Sequence, residues 1–112
     1  MLVAFGRQAW KEVAGHFPDP QPELKLKGEV TRGTTDVATT AADVWGVLDW
    51  KSGRVEGDAT DQIMGYISCL HDQMGPPPSG RYLGVTVWLR HGTIDTIEVD
   101  AADIERFKQR VR

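Results

Sequence analysis

The sequence predicts an α/β domain, one mixed β-sheet flanked by helices in the order α-β-β-β-α-β-β-α. Three observations predict it. Apolar residues recur at helical spacing near the start, middle and end of the chain, and runs alternating at period two lie between them. One further run, Val44 to Leu48, is nearly continuously apolar, as in a central strand buried on both faces.

Leu2, Phe5, Ala9, Val13 and Phe17 share one face of a first helix, which Pro18, Pro20 and Pro22 end, since proline lacks an amide donor and clashes with the preceding turn. Leu24, Leu26 and Val30 alternate with Lys25, Lys27 and Glu29, predicting a half-exposed strand over 23–30. Past Gly33, the β-prone run Thr34 to Ala38 makes a second strand, and Thr39 to Asp43 a turn. Val44 to Lys51 is the third strand. Ala59, Ile63, Ile67, Leu70 and Met74 trace one face of a second helix, closed by Gly75 and three prolines. Tyr82 to Arg90 and Thr93 to Val99 form a hairpin turning at His91-Gly92. A last helix, capped by Asp100 or Asp103, turns Ile104, Phe107 and Val111 inward.

The 112 residues fit one compact domain that encloses a core without disulfides or a structural metal. The single cysteine, Cys69, excludes an internal disulfide and a four-cysteine zinc or iron–sulfur site, so any metal would sit on oxygen or nitrogen. No apolar run approaches the roughly 20 residues of a membrane span. Met1 to Phe5 lacks a basic leader and is soon interrupted by Arg7 and Lys11, so the expected location is cytoplasmic, without a membrane partner. A net charge of −3 argues mildly against gripping nucleic acid by bulk charge. Carboxylates gathered around a divalent cation would carry a local charge that the metal neutralises.

Asp49 and Lys51, two apart on a strand, project from one face, and Leu48 and Trp50 from the other. If the second and third strands form an antiparallel hairpin turning near Ala42, Asp36 falls opposite Asp49 or one position away. Two carboxylates and an ammonium would then converge, costly to bury unless a hard cation such as magnesium or manganese binds the carboxylates. Lysine can then hold an attacking water or stabilise charge on a phosphate. On Asp49 and Lys51 alone, an ordinary charged pair at a strand's end explains the pattern as well.

The string Gly33-x-x-Asp36, then Asp49-Trp50-Lys51-Ser52-Gly53, then Gln62-x-x-x-Tyr66 resembles the RecB-like branch of the PD-(D/E)xK nuclease superfamily, with Ser52 where threonine is usual. The resemblance covers Gly33 to Tyr66. It implies a restriction-endonuclease-like core and a magnesium- or manganese-dependent hydrolysis of DNA phosphodiester bonds, endonuclease or exonuclease. It implies Asp36, Asp49 and the backbone carbonyl of Trp50 as metal ligands and Lys51 as the residue positioning the nucleophile. Gln62 and Tyr66, one helical turn apart, are implied to sit near the lysine and the DNA strand. Ser52, Arg54 and Tyr66 are the expected DNA contacts.

The chain departs from that branch on the first helix, where Trp10 stands at the spacing of the usual histidine after Gly6. Glu12 remains there as a candidate metal ligand, although a surface glutamate is the plainer explanation. His16, His71 and His91 lie outside any motif. Lys25, Lys27, Arg32, Arg54, Arg81, Arg106, Lys108, Arg110 and Arg112 are cations that could meet phosphates; the last four are equally explained by the dipole of a helix end. Trp45, Trp50 and Trp88 read as core rather than base-stacking platforms. Two rivals are a catalytically silent nuclease fold that binds nucleic acid or a protein partner, and an assembly protein of a phage or mobile element. A homo-oligomer or a partner protein could assist cutting.

Overall fold

The structure, a computed structural model, describes residues 2–52 and 59–112, with side chains from Phe5 onward. The side chain of Leu2, and Gly53 and Arg54, lie outside the described residues. The elements are α1 (Leu2–Val13) with a 3-10 turn (Ala14–His16), β1 (Gln21–Lys27), β2 (Arg32–Thr39), β3 (Trp45–Lys51), α2 (Thr60–Met74), β4 (Arg81–Trp88), β5 (Thr93–Asp100) and α3 (Ala101–Val111). This is the α/β order the periodicities predict.

The five strands stand in sequence order in one sheet, with β3 and β4 parallel and every other neighbouring pair antiparallel. A parallel neighbour has to start again from the same end of the sheet, so the β3–β4 connection carries α2 across its face. Alternation along the strands feeds two apolar layers. Leu48, Val85 and Val87 pack with Ala9, Val13 and Phe17 of the α1 region. On the other face, Ala38, Val47 and Tyr82 pack with Ile63, Ile67 and Leu70 of α2 and Ile104 of α3. Covered on both sides, β3 reads as the unbroken apolar run seen in the sequence. α2 approaches the sheet so closely that a Cβ on Gly84 would lie 2.2 Å from Ile63 Cγ2.

Several boundaries differ from the expectation. β1 runs Gln21–Lys27 rather than to Val30, because Gly28 N–H closes a turn on the Thr31 carbonyl at 2.9 Å. β2 is longer than Thr34 to Ala38. β4 stops at Trp88, whose carbonyl accepts from His91 and Gly92, so residues 89–92 form the hairpin loop, with Gly92 at φ +68. Asp100 caps α3 and Asp103 answers it in a reciprocal capping box, so both candidate caps are used. Met74 and Val111, expected inward, are 41% and 46% exposed, each being the last residue of its helix. α2 instead buries a wider stripe that includes Met64, Ser68 and Cys69. Trp45 and Trp88 are buried, and half-buried Trp50 packs on the α1 layer. No helix among the described residues is long and apolar enough to cross a membrane.

Candidate active site

The β2–β3 ladder pairs Val37, Ala38 and Thr39 with Leu48, Val47 and Gly46. Beyond Val37 side chains take over its hydrogen bonds: Thr35 Oγ1 donates to the Leu48 carbonyl at 3.1 Å, and Trp50 N–H donates to Asp36 Oδ2 at 2.7 Å. A buried backbone group left unpaired is costly, so these bonds fix Asp36 against β3. Asp36 and Asp49 are thereby neighbours, close enough for the charge of Asp36 to act on Asp49.

Asp49 is 6% exposed and lies in parallel register with buried Thr86 of β4. Lys51 Nζ approaches its Oδ2 to 2.7 Å, and apart from that ion pair this oxygen is buried without a hydrogen-bond partner. Burial pushes the Asp49 carboxyl above the usual carboxylate range, and the neighbouring Asp36 adds to the rise, while Lys51 pulls against it.

The contacts continue onto α2. Lys51 Nζ donates to Gln62 Oε1, and Gln62 Nε2 donates to the Tyr66 hydroxyl at 2.8 Å. An ammonium only donates, so the amide must turn its oxygen to Lys51 and its NH2 to Tyr66. The phenol oxygen therefore accepts, which leaves the Tyr66 hydrogen for an acceptor beyond the cluster. Burial raises the Tyr66 pKa and the Asp49 charge adds to it, against the Gln62 contact, so the phenol stays a donor. The Tyr66 ring lies on Gly33, where a Cβ would come within 2.8 Å of Cε1. Gly33, Asp36, Asp49, Lys51, Gln62 and Tyr66 thus meet in one cluster.

Other candidates fall elsewhere. Glu12 is exposed on α1, which packs on the sheet face of Leu48, whereas Asp49 and Lys51 face α2. Among the described residues no three His, Cys, Asp or Glu side chains form a metal-holding group. Ser52 is exposed, and its carbonyl accepts from Arg90 Nε at 2.8 Å. His71 Nδ1 meets the Tyr82 hydroxyl at 2.6 Å in a structural contact. The cations of the last helix are engaged within the fold: Arg106 with Asp103, Lys108 with Asp72 and Glu29, Arg110 with Asp61, and Arg112 with Glu29.

Thr35, Thr86 and Trp88 border the cluster; the sequence reading takes Trp88 as core and does not single out the two threonines. Trp88 stands in register with Lys51 and donates its indole N–H to Asp95 at 2.8 Å. Thr86 had a visible signal, a polar residue between Val85 and Val87 of a buried strand; Thr35 had none. Chemically, the two neighbouring carboxylates, Asp36 and Asp49, offer oxygen donors only. They fit magnesium or manganese, which keep several waters and need one or two carboxylates.

No family model matches the chain, and no curated protein matches it. Among solved structures the chain is similar to one described as "Crystal structure of SSO0001", with 14% identity and a TM-score of 0.46. The match covers 98% of this chain, which spans 57% of the length of that one.

Proposed function

We propose that this chain is a metal-dependent nuclease domain, similar to the RecB-like PD-(D/E)xK enzymes, that hydrolyses phosphodiester bonds in DNA. The observation that carries the proposal is the series Asp49–Lys51–Gln62–Tyr66, joined by one ion pair and two hydrogen bonds and running from a buried carboxylate to a half-buried phenol. An ordinary charged pair at a strand's end accounts for its first link and not for the other two.

Asp36, Asp49 and the carbonyl of Trp50 would hold a magnesium or manganese ion, which when bound supplies the charge that activates water and offsets the phosphate's own. Lys51 has three hydrogens to donate, one towards Asp49 and one towards Gln62, leaving the third for an attacking water or a phosphate oxygen. Gln62 restrains the ammonium's swing, keeping that third donor aimed. Tyr66 offers its free hydrogen to a phosphate oxygen of the strand. The burial of Asp49 strengthens the interactions of its own carboxylate relative to bulk water. The proposal includes a cytoplasmic location, where a buried free thiol such as Cys69 stays reduced.

The test is incubation with linear and with circular DNA in magnesium, manganese or chelator. Cleavage with either ion and none with chelator is expected, and the circular substrate separates endonuclease from exonuclease. DNA binding without cleavage in either ion would overturn hydrolysis in favour of a binding module.

A further inference from the structure

We propose that Lys25, Lys27 and Arg32, on the outer strand pair β1–β2, form a second site that grips the sugar-phosphate backbone of a nucleic-acid strand. The identity of the ligand rests on the function proposed above; the anion site itself rests on the following geometry.

Lys25 stands opposite Thr34 and Lys27 opposite Arg32 in the β1–β2 register. Directly opposed residues share a face, so the three cations project together, away from buried Leu26. They line a groove of about 500 Å³ with Gly33, Thr34 and Gln73. Gly33, opposite Leu26, turns its other side to the Tyr66 ring, so the cations and the Asp49 cluster lie on opposite faces of the sheet.

Like charges directly opposed across an antiparallel pair weaken it. Among the described residues no carboxylate forms an ion pair with Lys25, Lys27 or Arg32, whereas Arg81, Arg106, Arg110 and Arg112 each have one. Carboxylates are not scarce, with 16 acidic residues to 13 basic. Protection of an exposed sheet edge would explain the two lysines of the outer strand. It does not explain Arg32, which lies on the inner strand of the pair, and the edge at Lys27 is already closed by its N–H bond to Gln73 at 3.1 Å. A polyanion lying along the ribbon relieves the repulsion and accounts for all three.

The experiment measures anisotropy of a labelled single-stranded oligonucleotide with the full chain in calcium buffer across a salt series. The variants are the triple Lys25→Gln, Lys27→Gln, Arg32→Gln and a control, Arg7→Gln with Lys11→Gln, exposed cations of α1. Each lost phosphate contact lowers the salt slope by about 0.7, so the triple variant should lose about 2 from the slope and about tenfold or more in affinity. Its melting temperature should hold or rise, and the control should bind like wild type. Wild-type affinity and slope in the triple variant would overturn the site, as would an equal loss in the control. Displacement of the oligonucleotide by polyglutamate at the same charge concentration would make the groove a general polyanion site and overturn its assignment to nucleic acid. If wild type binds through the groove yet cuts with no metal, the groove stands and hydrolysis falls. If it cuts while the triple variant binds and cuts unchanged, hydrolysis stands and the groove falls. Absence of any wild-type binding overturns the groove.

Discussion

The ring of Tyr66 occupies the space a side chain on Gly33 would need, with Cε1 2.8 Å from where a Cβ would sit. Glycine on β2 and tyrosine on α2 are therefore a fitted pair, and the fit sets where Gln62, one turn earlier on α2, meets Lys51. Gly33→Ala should cost about 1–3 kcal/mol by overpacking. Combined with Tyr66→Ala it should cost less than the sum of the two single changes, as a urea double-mutant cycle would register. Strict additivity would mean that the contact does not constrain the helix.

Asp36 has a structural task besides its proposed chemistry, since it accepts the Trp50 N–H where the ladder ends. Asp36→Ala strands that amide and should lower stability by about 1–3 kcal/mol. Asp36→Asn keeps an acceptor and should melt near wild type while losing cleavage. Thermal melts beside cleavage rates separate the two effects, and equal activity of wild type and Asp36→Asn would remove Asp36 from the metal site.

Lys51 is expected to act as a compact donor of fixed direction. Lys51→Ala should lower turnover about 100-fold or more, as loss of a charge-stabilising donor does. Lys51→Arg should restore little, because a planar guanidinium cannot meet Asp49 and Gln62 in the same geometry. Gln62→Leu should lower kcat with little change in KM. Full activity in the arginine variant would reduce the residue to charge screening.

Acid stability should depend on a different cluster. Lys108, 5% exposed, ties α3 to Asp72 of α2 and Glu29 of the β1–β2 turn. Burial disfavours the Asp72 carboxylate, but the Glu29 amide and Lys108 outweigh it, holding its pKa below 3.8. A depressed carboxylate contributes stability that is complete above the unfolded value and lost as pH falls through the folded one. For Lys108 burial is likewise outweighed, by Asp72 and Glu29, and its pKa lies above 10.5, so its contribution is complete below that value and lost in stronger alkali. Urea midpoints of wild type and Asp72→Asn should differ by a constant gap at neutral pH that closes below 3.8. A gap unchanged in acid would show that Asp72 ionisation does not support the fold.

Much of this was legible in the sequence, because period alone separates Leu48 and Trp50 from Asp49 and Lys51, and a helical turn joins Gln62 to Tyr66. What was not legible depends on contacts between distant residues. Spacing could bring Asp36 to Asp49, but the Trp50 amide that fixes it appears only once β2 parts from β3. Glu12 has the right side chain, yet α1 covers the opposite face of the sheet. The dipole argument for the C-terminal cations left out Asp61, Asp72 and Glu29, far along the chain, which pair with them. Strand ends were missed where Gly28 turns onto Thr31 and where Trp88, not Arg90, opens the hairpin.

The central claim, that these residues form one metal-dependent hydrolytic centre, is tested most directly by the single-turnover cleavage rate of labelled DNA in manganese, for wild type and Asp49→Asn. Asparagine keeps the size of a buried side chain whose charge burial already disfavours, so the variant should fold at least as stably as wild type. Metal-dependent cleavage by wild type and none by the folded variant is the predicted result. Equal rates in the two proteins, or no cleavage by wild type, would contradict it.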